Sequence, residues 1–362
     1  MITTHYREAQ ARRSISIFVS GLIIACMFIL FLPGSSRSQN SDTPFGVTLS
    51  MANAPDSTLD DLINTLVLAK TVGSHGSFIW KWAEQDTLNE YLLQIWLMKQ
   101  FGLKSFPQMS IGLLGMPKPP SGLAPTFADP ATKAKYLENV IMIASMKPTY
   151  MNIAAEANFI HFWANEEWEH FKDAYREAYD IVKNISPDTM VGVSFHYDLF
   201  VWQQHFTLFD ELGPHDFVAF SSYPGTLVDS GHYASLEDIP VEWYSISRLV
   251  YPDKPIIFSE IAWSSEGTGT PEEQMQFIEA LPSLLADVDP ELVTWAFLHD
   301  TDHFQPYMID HLSERERLII EQYSVDMPML FKRFNGMGLR LLDGTPKPSW
   351  FKAMELDFNN VQ

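Results

Sequence analysis

Eight short apolar runs, each followed by a stretch with helical spacing, constrain the fold of this chain more than any other feature. The runs are "PFGVTLSM" from Pro44, "GSFIWKW", "SFPQMSIGLLG", "YMNIAAEANFIHF", "TMVGVSFHYDLF", "DFVAFSSYP", "KPIIFSEIAWSS" and "LVTWAFLHD". Between them lie stretches such as "TLDDLINTLVLAKTVG" and "EEWEHFKDAYREAYDIVKNISP", where apolar residues recur every three or four positions. Helices are expected over 86–101, 131–146, 203–212, 241–250 and 271–287, and after Pro348. Region 302–334 reads as an insertion of helical character. Strands joined by helical crossovers must be parallel, and eight such units in about 320 residues is the length of a (β/α)8 TIM barrel with insertions. A doubly wound open sheet is the rival. The turn after the first run, "TLSMANAPDST", lacks the glycine-rich phosphate cradle such a sheet usually carries there.

The barrel fits residues 41–362 as a single domain. Residues 1–40 read as a signal peptide or signal-anchor with a linker. Arg7, Arg12 and Arg13 precede an uncharged run, Ser14–Leu32, long enough to span a bilayer. Basic residues on its N-terminal side predict an N-terminus inside and the main domain outside the cytoplasm. The protein is therefore expected to be exported: extracellular, periplasmic or membrane-anchored. The lone cysteine, Cys26, lies in this run and leaves no internal disulfide. A formal net charge of −21 argues against nucleic acid as a partner, since phosphates need Lys and Arg to neutralise them.

In a barrel of this kind chemistry sits at the C-terminal ends of the strands. The second run ends with Trp80 and Trp82, and the third holds Gln108. The fourth ends with Glu156 and Asn158; the fifth with His196, Tyr197 and Asp198. The sixth ends with Ser222 and Tyr223, the seventh with Glu260 and Trp263, and the eighth with Trp295, His299 and Asp300. Two carboxylates facing one cleft are what glycosidic bond hydrolysis requires. One donates a proton to the leaving oxygen, and the other attacks the anomeric carbon or activates water. Aromatic residues make up 13% of the chain, which fits sugar-stacking platforms as well as a well-filled core.

The pair Glu156 in "NIAAEANF" and Glu260 in "IIFSEIAWSS" resembles the retaining glycoside hydrolases of clan A. The motifs "DFVAFSSYPGTL" and "KPIIFSEIAWSS" look most like the arabinogalactan endo-β-1,4-galactanases of glycoside hydrolase family 53, and "GLRLLDGTPKPSW" resembles the closing segment of many clan members. The resemblance spans about Pro44 to Met354. It implies a barrel, an acid/base at Glu156, a nucleophile at Glu260, a tyrosine at Tyr223 orienting the nucleophile, and a β-linked extracellular polysaccharide as substrate. Trp295 is expected as the floor under a sugar ring, with Trp82 and Trp263 as lesser platforms and Asn158 and His196 as sugar contacts. His196 also reads as a structural residue. Clan members usually carry Asn directly before the acid/base; here Ala155 stands there, with Asn152 on the same strand face as Glu156 and Asn158 in the following loop. Either asparagine would substitute, or the barrel is a catalytically impaired glycan-binding protein. "HDTDHF", His299 to Phe304, is the one segment suggesting a metal, but the first run lacks the His-x-His pair of barrel metallohydrolases. No cofactor and no metal are expected.

Overall fold

The computed structural model describes residues 44–113, 115–224, 235–302, 312–322 and 326–358. The run Ser14–Leu32 lies outside the described residues, as do His303 and Phe304. Among the described residues no helix is long and apolar enough to cross a membrane.

The eight expected strands form one parallel barrel. They are β1 (Phe45–Thr48), β2 (His75–Lys81), β3 (Lys104–Ser110), β4 (Tyr150–Asn152), β5 (two pieces, Met190–Gly192 and Ser194–His196), β6 (Val218–Ser222), β7 (Ile256–Ile261) and β8 (Leu292–Trp295). Each pairs with its sequence neighbours, and β1 also pairs with β8. The first piece of β5 pairs with β4 and the second with β6, so the ring closes through this one broken strand.

The outer layer follows from the helical spacing. α1 (Leu59–Val72) starts at Thr58, whose side chain accepts from the Asp61 N–H while the Asp61 carboxylate reaches back to the Thr58 backbone, a reciprocal cap. α2 (Leu88–Gln100) follows β2. α3 (Pro130–Ser145) opens on Asp129 with proline in its first turn. After β4 come α4 (Asn158–Trp163) and α5 (Asn165–Ile185). α5 buries Trp168, Phe171, Ala174, Tyr175, Ala178 and Val182, a stripe at three- and four-residue steps, and turns its charges outward except Glu167, whose buried carboxylate accepts from Thr126 Oγ1 and the Phe127 N–H. α8 (Ser245–Val250) follows β6, and α9 (Pro271–Leu284), capped by Thr270, follows β7. The insertion after β8 supplies α10 (Glu314–Gln322) and α11 (Met327–Asn335), and α12 (Pro348–Ala353) closes the chain.

Two strands are much shorter than their runs imply: "YMNIAAEANFIHF" reads as strand, yet β4 ends at Asn152 and the run finishes inside α4, and β5 is cut short as well. "SFHYDLF" reads as strand throughout, yet β5 ends at His196, and α6 (Tyr197–Trp202) starts there, with α7 (Leu208–Leu212) after it. His196 Nδ1 accepts the Leu199 N–H and so caps α6. Tyr197 and Asp198 consequently sit in a buried helical turn rather than on a strand end. Apolar residues on both faces of a seven-residue run do not distinguish the two periods.

Inside the barrel, side chains of one parity stack in layers. Phe106, Tyr150, Phe217, Ala219, Ile257 and Leu292 form an apolar plug at the N-terminal end. Two residues further along the same strands the layer turns polar: Gln108, Asn152, Ser194, Ser259 and Thr294 are all buried. This polar layer is the base on which the candidate site stands.

Candidate active site

Asn152 is the hub of the polar layer. Its Nδ2 donates to Gln108 Oε1 at 2.9 Å and to Ser194 Oγ at 3.0 Å, and its Oδ1 accepts the N–H groups of Ala154 and Ser194. Gln108 in turn donates to Ser77 Oγ and to the Ser259 carbonyl. Nothing of the Asn152 amide is left for a ligand, since both donors and both acceptor positions are engaged.

Glu156 stands directly above. The chain leaves β4 through a turn in which Glu156 has φ +54°, a left-handed conformation uncommon for a residue with a side chain. Such backbone costs on the order of 1–3 kcal/mol and persists only where surroundings over-determine it. Here the Glu156 N–H donates to Ser194 Oγ at 3.0 Å, and the neighbouring Ala155 and Ala157 N–H groups are held by the Met109 and Ser194 carbonyls. The turn throws the carboxylate across the mouth towards β6, where Ser221 Oγ donates to Glu156 Oε1 at 2.6 Å.

Glu260 arrives from the other side. In β7 the register with both neighbours slips at Ser259, an extra residue that is opposed by no partner. Such a bulge re-aims the next side chain. Glu260 pairs in register with Ser221, the residue that holds Glu156, so the two carboxyls meet over one strand. Tyr223 Oη donates to Glu260 Oε2, and the Tyr223 ring lies edge-on to Phe334 of α11, centroids 5.4 Å apart. His196, also paired in register with Ser221, sets its ring 5.2 Å from that of Phe159.

Electrostatics follow from this enclosure. Glu260 is only 6% exposed, and its pKa is pushed up to about 8, first by burial and then by the Glu156 charge, while the Tyr223 hydrogen bond pulls it back. Burial also raises Glu156, against the bond from Ser221. Because the Glu156 charge itself raises Glu260, the two carboxyls favour holding one proton between them near neutral pH. Burial lowers His196 to about 4, so its imidazole is neutral, and Nδ1 accepting from Leu199 leaves the proton on Nε2.

The expected residues divide into two groups. Glu156, Glu260, Tyr223 and His196 come together at the mouth. Trp82, Trp263 and Trp295 do not present open faces. Trp82 is fully buried, stacks on Phe127 and donates its indole N–H to the Ile111 carbonyl. Trp263 is 4% exposed and packs on Phe277 of α9. Trp295 follows the inward Thr294 and so points outward, against Phe277, with its indole N–H on the Met337 carbonyl. Trp80 likewise has outward parity and lies by Tyr91 of α2. Asn158 is fully buried and exchanges hydrogen bonds with the His196 N–H and carbonyl, fixing α4 to β5. Neither asparagine near Ala155 therefore faces the mouth. Ser222 is buried too and pairs with the Tyr244 hydroxyl.

The segment beginning at His299 has other duties. His299 exchanges hydrogen bonds with Ser50, and Asp300 forms a buried ion pair of 2.6 Å with Lys347. Among the described residues no cluster of His, Cys, Asp and Glu is arranged to hold a metal ion. Sequence reading missed Ser194 and Ser221. The parity that puts Gln108 inward also puts Ser221 inward; only the link from Ser221 to a residue 65 positions away was invisible. It also missed Phe159, which the sequence reading left inside the fourth strand run and the structure puts in the first turn of α4.

No protein-family model matches the chain, and no curated protein matches it. Solved structures do. A GH5_18 protein from Streptomyces cattleya, in complex with Manβ1-4GlcNAc, superposes with a TM-score of 0.65 at 14% identity, over 86% of this chain and 79% of that one. An exo-β-1,4-mannosidase from Opitutaceae bacterium strain TAV5 gives 0.65 at 12% identity, over 86% and 58%. A β-glucosidase gives 0.58 at 13% identity, over 81% and 86%. At these identities the likeness is one of fold: the chain is a TIM barrel of the kind these proteins use.

Proposed function

We propose that the chain is a retaining glycoside hydrolase acting on β-linked sugars, with Glu156 as acid/base and Glu260 as nucleophile. The observation that carries this reading is the convergence of two carboxyls, one buried and one half-buried, over Ser221, with the Tyr223 hydroxyl on the buried one. Glu260 attacks the anomeric carbon as the bond from that carbon to the leaving oxygen breaks, and Glu156 gives its proton to that oxygen. Water then bonds to the anomeric carbon, its proton passes to Glu156, and the ester to Glu260 breaks, restoring both groups. Burial and the Glu156 charge favour the proton on Glu260 in the free site, so attack requires that proton to pass to Glu156; the Tyr223 hydrogen bond, which favours ionised Glu260, works in that direction. Retention requires the two carboxyls to stand about 5–5.5 Å apart, where inversion needs a wider gap.

The fold neighbours carry names such as mannosidase, β-glucosidase and glycoside hydrolase, and two GH5_18 proteins among them hold a mannosyl-GlcNAc ligand. β-Mannosides and β-glucosides are thus the first substrates to try, with β-1,4-galactan added from the sequence motifs. The basic, then apolar, N-terminus supports export, placing these glycans outside the cytoplasm. A second reading, a glycan-binding barrel without turnover, is favoured by Ala155, because no side-chain amide stands where the clan supplies one to the sugar 2-hydroxyl. Hydrolysis of 4-nitrophenyl β-mannoside, β-glucoside and β-galactoside by wild type and Glu260→Ala separates the two. Turnover lost by at least 1,000-fold in the variant supports the hydrolase. Binding without turnover in either protein supports the second reading.

A further inference from the structure

The described part of the insertion after β8 touches two sides of the mouth. At one end, α11 sets Phe334 against Tyr223, the residue that holds Glu260. Gly336, just beyond α11, is tied to the loop after β7: its carbonyl accepts the Ser265 N–H, the Gln274 amide and the Lys347 ammonium. A Cβ at Gly336 would stand 2.7 Å from Glu266, so this contact is tight. At the other end, α10 presents Glu316, whose side chain is fully buried. Lys118 Nζ lies 3.0 Å from its Oε1, an ion pair rather than a well-aimed hydrogen bond. Lys118 belongs to the loop leaving β3, its N–H bonded to the Ile111 carbonyl. That loop is at the mouth as well, because Gly115 packs directly on the Phe159 backbone of α4. The insertion is thus fastened to the β6–β7 side and to the β3 side, which lie on opposite arcs of the ring.

The exposure of the catalytic pair is correspondingly lopsided. Glu260 and Tyr223 are nearly inaccessible, at 6% and 3%, whereas Glu156 is half-buried. Phe159, Phe162 and Trp163, on the α4 side next to Glu156, are all partly exposed. Access therefore comes from the side of the proton donor, and the nucleophile stands at the closed end. The sugar attacked by Glu260 must fit that closed end, and the leaving group must extend past Glu156 towards the aromatic side. A sugar confined in this way carries no further residue on its non-reducing side. We propose that the strap formed by α10 and α11 makes the mouth a blind pocket, so that the protein releases single sugars from the non-reducing ends of β-linked chains. This rests on the hydrolase reading and adds the mode of cleavage to it.

The test uses the full chain and a Lys118→Met variant, which removes the ion pair and leaves the Ser313–Glu316 cap of α10 intact. Wild type is expected to release 4-nitrophenol from aryl β-glycosides and monosaccharide from β-1,4-mannopentaose or cellopentaose. It should solubilise dye from cross-linked mannan, glucan or galactan at least 100-fold more slowly. Comparable release of dye by wild type would overturn the proposal. Hydrogen exchange tests the strap without any turnover: amides over 314–322 should exchange at least 10-fold faster in Lys118→Met while the barrel strands keep their protection. Unchanged exchange there refutes the strap. If wild type hydrolyses no probe, it is the hydrolase reading that has failed, and the exchange result still decides whether the strap exists.

Discussion

Replacing Glu260 by Gln should make the protein more stable, and by an amount that grows with pH. Gln keeps the shape and the oxygen that accepts from Tyr223 but carries no charge. A carboxyl held at about 8 in the folded protein, against 4.5 when unfolded, binds its proton more tightly in the fold. The stability associated with that proton is complete below pH 4.5 and is lost as pH rises through 8. At about 1.4 kcal/mol for each pH unit between the two values, the ionised Glu260 costs the fold on the order of 4–5 kcal/mol at pH 8 and above. Glu260→Gln escapes that cost. Its melting temperature should therefore match wild type near pH 4 and exceed it by roughly 10 °C near pH 8. Thermal unfolding of both proteins followed by circular dichroism between pH 4 and pH 8 measures the difference directly. A difference that stays flat across this range, or a variant that is less stable at pH 8, would show that Glu260 is not held protonated by burial and by Glu156. The placement of the two carboxyls over Ser221 would then be wrong.

Three further outcomes follow from the same geometry. Activity on aryl β-glycosides should fall above about pH 8, where the proton shared by the pair is lost and no acid remains; a pH profile still rising at pH 9 contradicts the assignment. Ser221→Ala removes the donor that favours the ionised form of Glu156, so the alkaline limb of that profile should move to higher pH, with Ser221→Thr restoring it. Asn152→Ala takes the amide away from the buried Gln108 Oε1 and the Ala154 N–H, and should destabilise the protein by roughly 2–4 kcal/mol in urea unfolding; a loss below about 1 kcal/mol would mean the polar layer is not closed around that amide.

Much of this arrangement was legible in the chain itself. Eight apolar runs alternating with helical stretches determine parallel strands, because they are joined by crossovers, and their number and length, with no glycine-rich cradle after the first, favour a barrel over an open sheet. That rule then places Glu156 and Glu260 at the ends of its fourth and seventh strands. Tyr223 was legible for the same reason, as the first residue past β6. What strand order does not convey is which way a residue beyond the last paired position turns. Trp82, Trp263 and Trp295 look like platforms in the sequence because an indole near a strand end satisfies either role. Their burial against Phe127 and Phe277 depends on helices that pack from outside.

By itself, then, the sequence determined the fold, the strand ends and the identity of the two carboxylic acids, all of which follow from local periodicity and chain connectivity. The tertiary structure alone decided their relation. The left-handed turn at Glu156 is stable only because Ser194 is beneath it, and Ser221 reaches Glu156 from a strand two places round the barrel. The two asparagines beside Ala155 are consumed by the polar layer and by β5, a result of packing among residues some 40 positions apart. Such contacts are long-range in sequence and short-range in space, and no local pattern encodes them.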